Sequence, residues 1–142
     1  MSAPVHWIIG QGGLLGQSMA RRLGTRAFNS IKIDWRQDDT PDVLSAECER
    51  FLGTIRAGSG WAVLWCAGAG IIGTEQAALD RETELLSVLL DTLADKRGVL
   101  FLSSSAGGVY GGSRDLPITE LTQPQPISPY GHNKLVQESL VG

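Results

Sequence analysis

Val5-His6-Trp7-Ile8-Ile9-Gly10-Gln11-Gly12-Gly13-Leu14-Leu15-Gly16 decides how the rest of this 142-residue chain is read. The apolar run from Val5 to Ile9 breaks at Gly10, which is how a buried parallel strand entering a tight turn reads. Gln17 to Leu23 then continues with helical character. Gly10, Gly13 and Gly16 give GxxGxxG, and the leucine at position 15 excludes the GxGxxG spacing. In such a strand, turn and helix each glycine has its own task. Gly10 permits the turn, Gly13 lets the backbone approach a pyrophosphate, and Gly16 lets the helix pack close to the strand. The helix N-terminus would supply N–H groups and a positive dipole end. A glycine-rich turn with no ligand is the plainer alternative.

Working outward, Asn29 to Ile33 reads as a second strand closed by Asp34. Its distance from the glycines suits the acidic residue, about 20 positions on, that binds the adenosine ribose hydroxyls. A carboxylate there repels an extra phosphate and favours NAD. Arg36, two residues later, keeps NADP as the alternative, and a solvated turn is the plainer role for Asp34. Thr40-Pro41-Asp42 reads as a helix start, with a cap, an early proline and an acid at the positive end. Val43, Leu44, Phe51, Leu52 and Ile55 supply its apolar stripe, and Ala57-Gly58-Ser59-Gly60 ends it. Between Asp34 and this helix a third strand is short or missing, and Asp38 and Asp39 read as solvated loop acids.

Trp61 to Cys66 is the next strand, followed by the small residues Ala67-Gly68-Ala69-Gly70. Thr74 to Asp95 carries Leu79, Leu85, Leu86, Leu89 and Leu93 at helical spacing. Val99 to Ser104 is the last strand. Strands alternating with helices in this way predict an α/β domain with an open parallel sheet whose ligands bind at the carboxyl ends of the strands.

A second constellation follows that last strand. Ser103-Ser104-Ser105 is joined by a proline-rich loop, 112–127, to Ser128-Pro129-Tyr130-Gly131-His132-Asn133-Lys134. Tyr130 and Lys134, four apart on a helix, share a face. An ammonium beside a phenol favours the phenolate, so Tyr130 would act as acid and base near neutrality, with Ser105 holding a substrate oxygen. Ser104 is a weaker candidate. Leu135, Val136 and Leu140 are expected to face inward, Tyr110 to line a pocket wall, and His132 to lie on the surface.

The YxxxK pair, the serines before it, Val109-Tyr110-Gly111 and the GxxGxxG pattern together resemble an extended short-chain dehydrogenase/reductase, the NAD-dependent epimerase/dehydratase family. The resemblance covers nearly the whole chain. It implies a Rossmann-type doubly wound sheet and an oxidoreductase or isomerase acting on a nucleotide-sugar or related hydroxyl or carbonyl substrate. It further implies Ser105, Tyr130 and Lys134 as catalytic residues. Gly10, Gly13, Leu14, Leu15, Gly16, Asp34, Ala67, Gly68, Tyr130 and Lys134 would be the cofactor contacts, with Lys134 on the nicotinamide ribose and residues 67–70 passing under the cofactor. Family members usually carry an asparagine in the helix at 74–95; this chain has Glu82 and Thr83 near that turn. They also continue into a substrate domain, so residues 1–142 are expected to be the NAD(P)-binding part, inactive alone. The alternative is a dinucleotide-binding sensor or regulatory module without catalysis.

Hydrophobic residues make up 42% and charged residues 19% of the chain, which suits one globular domain and excludes disorder. The net charge is −3 with no cluster of Lys or Arg, which gives no footprint for nucleic acid or a membrane surface. The apolar run from Trp61 to Ile72 is too short to span a bilayer, and Met1-Ser2-Ala3-Pro4 lacks a signal-peptide start. A cytoplasmic protein is expected, with homo-oligomer formation open. Cys48 and Cys66 form no metal spacing and read as reduced structural residues.

Overall fold

The computed structural model describes residues 4–68, 70, 71 and 73–142. The readings placed on Met1 to Ala3, on Ala69 and on Ile72 therefore lie outside the described residues. The elements run β1 (Val5–Ile9), α1 (Leu14–Leu23), a 3-10 turn (Gly24–Arg26), α2 (Thr40–Gly53), β2 (Trp61–Trp65), α3 (Gln76–Leu93), β3 (Val99–Leu102), α4 (Ala106–Val109) and α5 (Pro129–Val141). The strands form one sheet in the order β1-β2-β3. Both pairings are parallel, Val5 opposite Trp61 through Ile9 opposite Trp65, and Ala62 opposite Val99 through Trp65 opposite Leu102. This is a Rossmann-like arrangement of parallel strands with flanking helices, and no strand among the described residues stands between Asp34 and α2.

Two compact units make up the chain, Met1–Gly68 with Ser87–Ser103, and Ala69–Leu86 with Ser104–Gly142. The first holds the sheet. Its core is aromatic: Trp7, Phe28, Phe51 and Trp61 meet with ring centroids 5.3 to 6.1 Å apart, in tilted and edge-on contacts that suit ring quadrupoles. Leu44, Cys48 and Phe51 turn one face of α2 inward, and burial pushes the Cys48 thiol up to about 12. At the far edge of the sheet Val99 and Phe101 remain 62% and 47% exposed. In the second unit, the loop after α4 is closed by two backbone bonds of Gln125, which accepts from the Gly112 N–H and donates to the Val109 carbonyl.

The strand expected at Asn29 to Ile33 does not form. One isolated parallel bridge joins Ala27 to His6, with the Phe28 N–H donating to the His6 carbonyl, and the chain then leaves the sheet. The reason lies in α2. Its Glu47 carboxylate accepts from the Ile31 N–H at 2.9 Å, and its Arg50 guanidinium donates to the Asn29 carbonyl at 2.7 Å. Backbone groups that a ladder would have paired are thus satisfied by side chains instead.

Candidate functional site

The glycine turn belongs to the first unit. Gly10 has φ +92°, and a Cβ there would stand 2.5 Å from the Ala67 nitrogen, so both conformation and contact demand glycine. A Cβ on Gly16 would lie 2.1 Å from the Gly10 carbonyl oxygen, which seats α1 directly on the turn. Gly13 differs. It caps α1 with φ −82°, and a Cβ there would meet only the Gly10 oxygen at an ordinary 3.5 Å. Nothing in the chain's own packing requires a glycine at 13, so the space beside it is open to a ligand. No side chain caps α1, its first turn holds no acid, and Leu14 and Leu15 there are exposed. Ala67 packs on Gly10, and Gly68 has φ +134°. An anionic group fits such a turn.

Asp34 is exposed and organises its own loop. Its carboxylate accepts from the Arg36 N–H at 3.2 Å, from Arg36 Nε at 3.4 Å and from Gln37 Nε2 at 3.2 Å. The backbone bond from Arg36 leads in holding the carboxyl below its usual range. Trp35, beside it, meets Trp65 edge-on at 5.9 Å.

Ser105, Tyr130 and Lys134 belong to the second unit, and the fold brings them together. Ser105 caps α4: its Oγ accepts from the Gly108 N–H at 3.2 Å, which leaves its own proton to donate. Ser128 caps α5 in the same way, accepting from the Gly131 N–H at 3.0 Å, with Pro129 in the first turn where a proline costs nothing. Tyr130 follows at once. A Cβ added to Gly108 would lie 3.2 Å from both Ser105 Oγ and Tyr130 Cε1, so hydroxyl and ring border the same point. On the other side of the ring, a Cβ on Gly70 would lie 3.2 Å from Tyr130 Cδ2. Two glycines therefore hold the tyrosine ring between bare backbone. Gly131 completes the packing, since a Cβ there would stand 2.2 Å from the Gly108 carbonyl oxygen.

Lys134 Nζ stands 5.7 Å from the Tyr130 ring centroid. It is 4% exposed and donates to Glu82 Oε1 at 2.7 Å and to Gln137 Oε1 at 3.1 Å. Gln137 Nε2 in turn donates to Glu82 Oε1 at 2.9 Å and to Thr83 Oγ1 at 3.2 Å, and Thr83 donates to Asn133 Oδ1 at 2.7 Å. The inward face of α5 is thus polar: Asn133, Lys134 and Gln137 are buried, whereas Val136 and Leu140, expected inside, are exposed. Sequence periodicity alone could not show this, because the partners of Lys134 and Gln137 lie on α3, more than 50 residues away. Ser104, the weaker candidate for the substrate contact, donates to Glu138 Oε1 at 2.5 Å. His132 is exposed, as expected, with Nδ1 2.9 Å from the Ser128 carbonyl oxygen.

The model of the NAD-dependent epimerase/dehydratase family matches residues 7–142. The chain belongs to that family. Comparison with curated protein sequences finds no significant match. Among solved structures, RMD from Pseudomonas aeruginosa complexed with NADPH superposes with a TM-score of 0.73 at 24% identity, covering 97% of this chain and 47% of that one. UDP-glucose 4-epimerase from Brucella ovis in complex with NAD gives a TM-score of 0.70 at 20% identity, covering 97% and 46%. TunA, an NAD-dependent NDP-hexosamine 5,6-dehydratase involved in tunicamycin biosynthesis, gives 0.61 at 21%, covering 96% and 48%. At these identities the likeness shows the fold. The chain spans about half the length of the structures it matches. Among the described residues no helix is long and apolar enough to cross a membrane, and no group of three or more His, Cys, Asp or Glu is placed to hold a metal ion.

Proposed function

We propose that the chain is the dinucleotide-binding part of an epimerase, dehydratase or reductase acting on a nucleotide sugar or a related hydroxyl or carbonyl compound. The observation that carries the reading is the convergence of the Ser105 hydroxyl and the Tyr130 ring on Gly108, with the Lys134 ammonium 5.7 Å from the ring centroid. A bound nicotinamide dinucleotide supplies hydride donation and acceptance. The open backbone at Gly13 and the uncapped first turn of α1, at Leu14 and Leu15, receive its pyrophosphate; Gly10, Gly16 and Ala67 hold that turn in shape, and Gly68 follows it. Asp34 accepts from ribose hydroxyls and favours NAD over NADP. Ser105 donates to the substrate oxygen, and Tyr130, with Lys134 beside its ring, takes the proton or returns it. Lys134 also bonds the nicotinamide ribose.

Calorimetric titration of the chain tests the binding half, with NAD expected to bind more tightly than NADP; a marked preference for NADP would overturn the role of Asp34. The catalytic half is tested in the full-length gene product with a panel of nucleotide sugars. Tyr130→Phe should spare dinucleotide binding and lower turnover by roughly 100- to 10,000-fold. Lys134→Met should damage both, and Ser105→Ala should lower turnover. Unchanged turnover in Tyr130→Phe sinks the mechanism. A dinucleotide-binding regulatory module without catalysis is the second reading, and the observation on its side is that two of the Lys134 donors are already committed to Glu82 and Gln137. Turnover distinguishes the two.

A further inference from the structure

We propose that Glu82 is the positioning residue of the Tyr130–Lys134 pair: its carboxylate is the counter-charge that keeps the buried Lys134 ammonium beside the tyrosine ring. The inference rests on the catalytic reading above for its effect on function, but not for the contact itself. An ammonium that is 4% exposed cannot be held without a partner, because a buried charge left unpaired costs several kcal/mol. Among the described residues Lys134 forms its ion pair with Glu82, at 2.7 Å, with the two side chains 5% and 12% exposed. Gln137 ties the pair together. Its carbonyl oxygen accepts from Lys134 and its amide nitrogen donates to the same Glu82 oxygen, so three side chains close a triangle. That triangle fixes the direction of the lysine stem and takes two of its three donors, which leaves one for a further partner. Removing the carboxylate should release the ammonium from its place, and through it weaken whatever Lys134 does for the ring and the ribose. Glu82 itself needs no contact with substrate or dinucleotide.

The other two lysines of the chain, Lys32 and Lys96, are exposed, which gives a direct readout. Their ammonium protons exchange rapidly with water, so nitrogen-15 NMR of the parent chain should show a single slowly exchanging lysine ammonium, that of Lys134. In Glu82→Gln, which preserves size and hydrogen-bonding reach, that signal should disappear. No protected ammonium in the parent, or one that persists in Glu82→Gln, overturns the inference. The functional arm is a double-mutant cycle on NAD affinity, measured by calorimetry beside the thermal unfolding midpoint. Glu82→Gln should weaken binding roughly tenfold or more in the parent and leave it unchanged on a Lys134→Met background. Equal losses on both backgrounds would mean that Glu82 acts on the fold and not through Lys134. If the parent chain binds no dinucleotide, the functional reading fails while the NMR arm still decides whether Glu82 holds Lys134.

Discussion

At Gly10 two requirements coincide, a φ of +92° and the approach of the Ala67 backbone, whereas at Gly16 the demand is contact alone and at Gly13 neither applies. The three glycines of one motif should therefore respond differently to the same change. Gly16→Ala drives a methyl into the Gly10 carbonyl and should cost about 1–3 kcal/mol in urea unfolding, since a packed contact has to move apart. Gly13→Ala should leave the unfolding free energy within about 0.5 kcal/mol of the parent and yet weaken NAD binding, because the added methyl fills space that only a ligand uses. Equal stability losses at 13 and 16 would contradict this division. The same logic applies to the glycines around Tyr130. Gly70 and Gly108 have no positive φ to justify them, and their lack of a side chain is explained by the ring that each touches.

Among the elements, α2 does more than fill the core. Glu47, 4% exposed, accepts from Arg50 and from the Ile31 N–H, and Arg50 lies over the Phe28 ring at 4.3 Å. The Arg50 hydrogen bond leads in holding the Glu47 carboxyl below its ordinary 4.5, with the Ile31 bond adding to it. A carboxyl depressed in the folded state stabilises the fold above its unfolded value, and that contribution is lost as pH falls through the folded one. Glu47→Gln should therefore lower stability by roughly 1–3 kcal/mol at neutral pH and shrink the difference from the parent as pH falls below 4.5. Urea unfolding at pH 7 and at acid pH reads both; a difference that grows on acidification would refute the assignment. Because Glu47 and Arg50 serve the backbone at 29 to 31, the variant should also loosen that segment, visible as faster amide exchange at Ile31.

On the scale of the whole molecule, the sheet-bearing unit depends on a knot of aromatic rings. Phe51 touches Trp7, Phe28 and Trp61 at once, so Phe51→Ala removes the ring on which the others lean and should cost about 3–5 kcal/mol. A loss below 1 kcal/mol in chemical denaturation would mean that the cluster closes over the gap without penalty. Three parallel strands, the glycine turn and the positions of α1, α2, α3 and α5 were all legible in the sequence, because each is announced by a local signal: an apolar run ended by glycine, a cap followed by proline, a helical repeat of leucines. Two features were not legible. The run Asn29 to Ile33 has the composition of a strand, and Leu135, Val136 and Leu140 have the spacing of a buried stripe, yet neither behaves so.

What the sequence determined by itself, then, is what depends on neighbours within a few residues: the strand, turn and helix at the N-terminus, the proline-led start of α2, and the pairing of Tyr130 with Lys134 on one helical face. Tertiary structure decided where the polar groups go. Residues 29 to 31 leave the sheet because Glu47 and Arg50, 16 and 21 positions on, take their backbone groups. The inward face of α5 is polar because Glu82 and Thr83, 50 or more residues away, supply a charge and a hydroxyl partner to Lys134, Gln137 and Asn133. The physical reason is the same in both places. Burial of an apolar side chain is favourable almost anywhere and so follows a periodic pattern, whereas a polar or charged group can be buried only where its particular partner stands, and that partner is found by the fold.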